Sequence, residues 1–262
     1  MTWLLLPGLR LARRDADHLQ LGVDAPRAVV LPDTRAVRRL VADLAHGAPL
    51  STLDETTAPV LTELVRAGLV VAADHEAARL RRRGECVVHV DAPEDVLPAA
   101  VRLLREAGLV TTSTPSTAGV ALVWSAGELA RDRLDGWVRA GTPHLVVAEL
   151  PDGPRLGPFV LPGATACLRC VDAHAGEADP RRALVVEQVA TGRPLRPASP
   201  EPARRALALA WAVHDLGTAA EGGRPATWSA TVQLEALPPV LTAYRRHPHC
   251  GCAWADDVLR AG

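Results

Sequence analysis

The chain has 262 residues, a formal net charge of −1 and 48% hydrophobic residues, which is length for roughly two domains with real cores. A near-neutral balance excludes a global field that would draw it to nucleic acid or to a membrane surface. The apolar run Trp3 to Leu6 is too short for a signal h-region or a membrane span, so a soluble, cytoplasmic protein is expected.

Residues 9–14 and 18–23 alternate at period two around Asp15-Ala16-Asp17, a hairpin signal, and Ala28-Val29-Val30-Leu31 reads as a third short strand stopped by Pro32. Asp33 or Thr34 can cap a helix carrying Val37, Leu40, Val41 and Leu44 and ending at Gly47. Ser51 opens a short helical turn, and Val60, Leu61, Leu64 and Val65 form a third helix closed by Gly68. Residues 1–75 are therefore expected to form a winged-helix-like module. A groove-reading helix should display several exposed basic residues, whereas the third helix offers Arg66 beside Glu63. Strand addition along Ala28–Leu31 suits the module better, because an unpaired strand edge accepts an extended peptide. The arginine-rich stretch 76–85 reads as a solvated linker.

From residue 86 to 262 the pattern changes. Cys86 to Val90 is a short buried strand, with Cys86 as core packing. Glu94 to Ala107 is an amphipathic helix, Leu109–Thr112 and Val120–Trp124 are strands, Glu128 to Ala140 is a helix and His144–Leu150 is a strand. Strands alternating with helices imply a parallel α/β sheet. After a turn at Pro151-Asp152-Gly153, a strand over Arg155–Leu161 leads to a helix start at Cys167. Prolines 194, 197, 200 and 202 mark an irregular crossing. The helix Ala203 to Ala220 is apolar nearly all round, which fits a core or a subunit interface. Thr227 to Leu237 reads as the final strand.

Four of the five cysteines form two chelating pairs, Cys167-Leu168-Arg169-Cys170 and Cys250-Gly251-Cys252. Two such pairs brought together make a tetrahedral thiolate site for structural zinc, and four thiolates leave no open position for a catalytic water. Two disulfides or a redox pair would use the same residues, but a reducing compartment disfavours the first, and the second needs no partner pair. His247 or His249 could replace one cysteine. Asp172 and His174 follow the first cysteine pair, and His214-Asp215 lies in the helix Ala203 to Ala220; all are read as packing rather than catalysis.

The runs GPFVLPGATACLRCVDAH and HPHCGCAW, with RAVVLPDTRAVRRLVADLAHGAPLSTL upstream, resemble the ThiF-like proteins of azoline and thiopeptide clusters. These are leader-peptide-binding partners of YcaO cyclodehydratases. The resemblance implies a winged-helix precursor-recognition element before a reduced, degenerate ThiF-like Rossmann-type domain with a zinc staple. It also implies a homodimer, capture of a precursor-peptide leader on Ala28, Val29, Val30 and Leu31 against Leu61, Leu64 and Val65, and delivery to a YcaO enzyme. Active adenylating relatives carry a glycine-rich nucleotide loop and a lysine. Here Asp91-Ala92-Pro93-Glu94-Asp95 follows the first strand, and the chain has no lysine. Pyrophosphate needs glycines and free N–H groups, so no ATP binding is expected. The competing expectations are an active ATP-dependent adenylating enzyme acting on a peptide or sulfur carrier, and a DNA-binding regulator.

Overall fold

The computed structural model describes residues 2–50, 53–195 and 201–252. The chain divides into two compact units, Met1–Arg81 and Arg82–Gly262. In the first, the order is β1 (Trp3–Leu5), β2 (Leu11–Arg13), β3 (His18–Leu21), β4 (Val29–Pro32), α1 (Arg35–His46), α2 (Thr57–Arg66) and β5 (Val70–Ala72). Helix α3 (Ala73–Glu85) follows, and the boundary between the units falls inside it.

Strands β2, β3 and β4 form an antiparallel meander. Alternation turns Leu19 and Leu21 of β3, and Val29 and Leu31 of β4, inward against Val37, Leu40, Val41 and Leu44 of α1 and Val60, Leu61 and Leu64 of α2. Each fully buried leucine here contributes about 1.5–3 kcal/mol. Helix α1 starts where expected, because the Thr34 hydroxyl accepts from the Val37 N–H at 3.2 Å. Asp54 does the same work for α2, accepting from the N–H groups of Thr56 and Thr57 and from the Thr57 hydroxyl. The short turn expected at Ser51 begins outside the described residues. Period-two reasoning missed the antiparallel pair β1–β5, with Trp3 opposite Ala72, because each strand has only three residues. The stretch 76–85, expected as a linker, is helical. Glu76 and Arg79 pair one turn apart at 2.6 Å, a spacing that supports a helix.

The second unit continues with β6 (Val87–Asp91), α4 (Leu97–Glu106), β7 (Val110–Thr112), β8 (Val120–Ser125), α5 (Asp135–Arg139), β9 (His144–Leu150), β10 (Gly153–Val160), α6 (Leu168–Gly176), α7 (Arg182–Thr191), α8 (Pro202–Ala220), β11 (Ala230–Gln233) and β12 (Val240–Ala243). Its seven-stranded sheet has the order β12-β11-β10-β9-β8-β6-β7. Only β7, β6, β8 and β9 run parallel. The expected parallel sheet holds through His144–Leu150; from β10 onward the sheet turns antiparallel, because the tight turn before Gly153 returns the chain alongside β9, and β11 and β12 continue that meander. The expected final strand, Thr227 to Leu237, is the shorter β11, and a further strand, β12, follows beyond Leu237-Pro238-Pro239.

Val88, Val90, Leu122, Trp124, Leu145 and Val147 line one face of the sheet, packed with α4 and α8 residues such as Leu104, Leu209 and Leu216. The other face carries Ala121, Val123 and Val146 against Leu129, Leu134, Leu168 and Val171. Helix α8 buries one stripe while Leu207 stays partly exposed. Its Asp215 is fully buried and accepts from the N–H groups of Ala226 and Thr227 and from the Thr227 hydroxyl, fixing the approach to β11. At Gly157, where φ is 91°, an added Cβ would lie 2.3 Å from the Ala230 carbonyl oxygen, so the irregular stretch of β10 can lie against β11 only without a side chain.

Candidate metal centre and peptide edge

The first cysteine pair sits at the start of α6, after a turn in which the N–H groups of Ala164 and Thr165 reach the Leu161 carbonyl. The Thr165 hydroxyl accepts from the Leu161 N–H at 2.7 Å, and the Ser229 hydroxyl accepts from the Ala166 N–H at 3.0 Å. The second pair arrives on the C-terminal tail, where Gly251 has φ 75° and lets Cys250 and Cys252 face the same point. The four sulfurs of Cys167, Cys170, Cys250 and Cys252 lie within 4.8 Å of one another. Cys167 is 3.8 Å from Cys170 and 3.4 Å from Cys250, and Cys170 is 3.4 Å from Cys252.

These distances exclude bonded sulfurs, which sit about 2.05 Å apart, and all four thiols are free. A tetrahedral metal with sulfur ligands about 2.3 Å away separates the sulfurs by about 3.8 Å. The donor set therefore fits a metal ion. Hydrogen bonding to Cys170 pushes the Cys167 thiol up, and the same contact draws Cys170 down. Bonding to Cys167 draws Cys252 down to about 7. Four clustered thiols cannot all ionise together until a cation neutralises them. The His247 N–H donates to the Cys170 sulfur at 3.4 Å. The His247 ring faces Glu177 instead of the cluster, so it does not replace a cysteine.

Strand β4 is an edge of the three-stranded sheet. The Asp33 N–H donates inward to the Asp17 carbonyl at 2.7 Å. Antiparallel alternation then turns the N–H and C=O of Leu31 and Val29 toward β3, and those of Val30 outward. Val30 is 46% exposed and Val65 40% exposed. Val29 and Leu31 are buried, and Ala28 precedes the strand. Leu61 at 8% and Leu64 at 0% exposure belong to the core, so of the residues expected to wall a groove, Val65 has the free surface. Helical phasing explains this: Val60, Leu61 and Leu64 fall on the inner stripe of α2 and Val65 at its margin.

In an open α/β sheet, ligands enter beyond the carboxyl ends of the strands, where connections diverge to either side. Here that point lies beyond β6 and β8, since β7 pairs on one side of β6 and β8 on the other. Between β6 and α4 the chain has no glycine, and the Val96 N–H donates to the Pro93 carbonyl. Asp91, ending β6, accepts from Arg133 at 2.7 Å. Just after β8, Arg131 grips Asp172 of α6 with two hydrogen bonds of 2.6 and 2.9 Å. Arg131 also reaches Glu128 at 2.8 Å, and Arg155 meets the same oxygen at 2.7 Å. Burial would raise the Glu128 carboxyl, but the charges of Arg155 and Arg131 hold it below its ordinary range. This network breaks the expected helix Glu128–Ala140 into a 3-10 turn at Arg131–Leu134 and the short α5. Pattern reading missed the network because its members come from the stretch after β8, from β10 and from α6, with no shared spacing. Asp172 was legible only as a polar neighbour of the cysteine pair.

No family model and no curated protein sequence matches the chain. Solved structures do. The heterocyclase TruD superposes with a TM-score of 0.70 at 17% identity, covering 100% of this chain and 44% of its own. E. coli MccB with MccA-N7isoASN gives 0.63 at 11% identity, covering 97% of this chain and 100% of its own. MccB with AMPCPP and MccA gives 0.59 at 10% identity, with 97% and 99% covered. The likeness is one of fold, and it supports the α/β architecture expected from the sequence. The chain spans less than half the length of the heterocyclase it matches.

Proposed function

We propose that the chain is a non-catalytic binding protein of ribosomal-peptide biosynthesis. It captures the leader of a precursor peptide as an added strand on β4 and delivers it to a separate YcaO-type modifying enzyme. The observation that carries the reading is the contrast between the β4 edge, on which Val30 is exposed, and the crevice beyond β6 and β8, where carboxylates and guanidinium groups are already paired. One further fact supports it: MccB is described in complex with MccA.

Main-chain hydrogen bonds from Val30 would supply affinity, and the Val30 and Val65 side chains a shallow apolar contact. Tethering the leader raises the effective concentration of the attached core peptide at the partner's active site. The four cysteines would hold a structural zinc, the ion that suits closed tetrahedral thiolate sites, fastening the C-terminal tail to α6. A homodimer remains the expected assembly.

The test is fluorescence-polarisation binding of a labelled leader peptide from the neighbouring precursor gene to the full chain, with and without ATP and magnesium. Binding unaffected by ATP and weakened by Val30→Pro is the expected result. The second reading is an adenylating enzyme, favoured by the MccB likeness over nearly the whole chain. ATP–pyrophosphate exchange dependent on the peptide, without leader affinity at β4, would replace the first reading with the second.

A further inference from the structure

Beside the four cysteines lies a separate group, His174, Glu177 and His247, whose ligand atoms are within 4.8 Å of one another. His174 and Glu177 flank the end of α6, and His247 is on the tail. The Glu177 carboxylate lies 3.1 Å from His247 Nε2 and 3.9 Å from His174 Nδ1. The His174 and His247 rings meet edge-on at 4.8 Å.

The bonding of His174 sets what this group can do. Its Nε2 lies 2.9 Å from the Arg245 carbonyl oxygen, and a carbonyl can only accept, so the proton sits on Nε2. The Nδ1 lone pair is then turned toward the Glu177 carboxylate 3.9 Å away, acceptor against acceptor, an opposition that a bound cation or a proton on Nδ1 relieves. An imidazole that donates one ring N–H to a backbone carbonyl and offers its other nitrogen is the usual state of a metal-bound histidine. Two imidazoles and a carboxylate also form a donor set suited to zinc, cobalt or nickel. His247 is buried while Glu177 is exposed, so the site has a fixed wall and an open side.

We infer that His174, Glu177 and His247 form a second site for a borderline divalent cation, separate from the cysteine cluster and open to one external ligand. Seating the ion needs two adjustments. The His249 N–H now lies 3.2 Å from His247 Nδ1. A metal on Nε2 moves the ring proton to Nδ1, and that loose contact is given up. The side chains need to close by under about 2 Å, since ligands about 2.0–2.1 Å from a tetrahedral metal lie about 3.4 Å apart.

Cobalt(II) titration of the untagged full-length chain separates the two sites. The cysteine cluster gives thiolate-to-cobalt charge transfer, whereas a two-histidine, one-carboxylate site adds d–d absorption with no sulfur band. The expected result is one sulfur-free equivalent that disappears in both His174→Ala and Glu177→Gln while the thiolate band keeps its full amplitude. No sulfur-free equivalent, or one that survives both substitutions, overturns the inference. A missing thiolate band counts against the cysteine site alone.

Discussion

The crevice beyond β6 and β8 and the outer edge of β4 dispose of their polar groups in opposite ways. In the crevice, Asp172, Glu128 and Asp91 have their guanidinium partners inside the molecule. At β4, the Val30 amide and carbonyl face out with no partner strand among the described residues. Paired groups resist an incoming anion, because binding must first break interactions already formed in a poorly hydrated place. Unpaired backbone groups on an edge lose only water when a peptide strand arrives. The lesson is that a fold similar to that of MccB can keep its architecture while the polar groups at its switch point are committed to one another.

Three substitutions and one pH series would break or sharpen this comparison. The largest effect should follow removal of the cysteine cluster, because Cys170 and Asp172 share α6 and the cluster holds the helix that closes the crevice. Structural zinc contributes about 10–16 kcal/mol of binding free energy in small domains. Cys170→Ala should therefore lower the Tm of the second unit by roughly 10 °C or more, read by calorimetry with metal content measured in parallel. An unchanged Tm with no metal bound would remove the staple from the account. Next, Asp172→Ala should cost about 3–5 kcal/mol, because it leaves the Arg131 charge buried without its bidentate partner. The double variant Arg131→Met with Asp172→Leu should regain most of that loss. If the single and double variants are equally unstable, the site depends on more than this pair.

Local signals carried much of this architecture. Thr34 and Gly47 bracket α1, and the hydrophobic alternation at 18–21 and 29–31 sets the β meander, since caps and period-two patterns act over a few residues. The cysteine pairs were legible because chelate spacing is itself local, even though the pairs meet only through the tertiary fold. What could not be read is where the sheet reverses direction and which charges meet. A strand such as β10 carries no mark of parallel or antiparallel pairing beyond the turn before it. Arg131 and Asp172 look like ordinary polar residues until α6 is placed beside the end of β8. The same limit explains Leu61 and Leu64: helical periodicity groups them with Val65, but only packing decides that the first two are core and the third is surface.

The open side of the comparison is tested by Val30→Pro. Proline removes the outward N–H of Val30 and leaves the inward bonds of Val29 and Leu31 to β3 intact, so the meander should persist. Loss of one or two main-chain hydrogen bonds, each about 0.5–1.5 kcal/mol, should weaken leader binding about tenfold. The Tm should move by no more than a few degrees. Val29→Pro is the control, since it breaks the inner ladder and should destabilise the unit itself. Equal binding losses without loss of stability in both variants would mean the peptide does not add to this edge.

The smallest effect separates the units by pH. His144 opens β9 with 0% exposure, and its Nε2 has no hydrogen-bond partner. Burial lowers its pKa below the ordinary 6.5, against a smaller opposing contribution from the Thr142 carbonyl. The unfolded chain therefore takes up this proton at higher pH than the folded chain does. Stability from a neutral buried imidazole is full above about 6.5 and declines as pH falls from there toward the depressed folded value. Each unit of depression corresponds to about 1.4 kcal/mol. His144→Gln should lower the Tm at pH 7.5, since it disturbs packing, yet flatten the fall between pH 7 and 5. Acid also strips metal from thiolates, so the informative quantity is the wild-type curve minus the variant curve, in which metal loss cancels. Leader binding at β4, far in sequence from His144, should be the same for both proteins at every pH where the second unit stays folded. A variant curve parallel to the wild type would show that His144 titrates alike in the folded and unfolded chains, as it would if it gained a partner on protonation, and the acid sensitivity of the unit would then rest on the cysteine cluster.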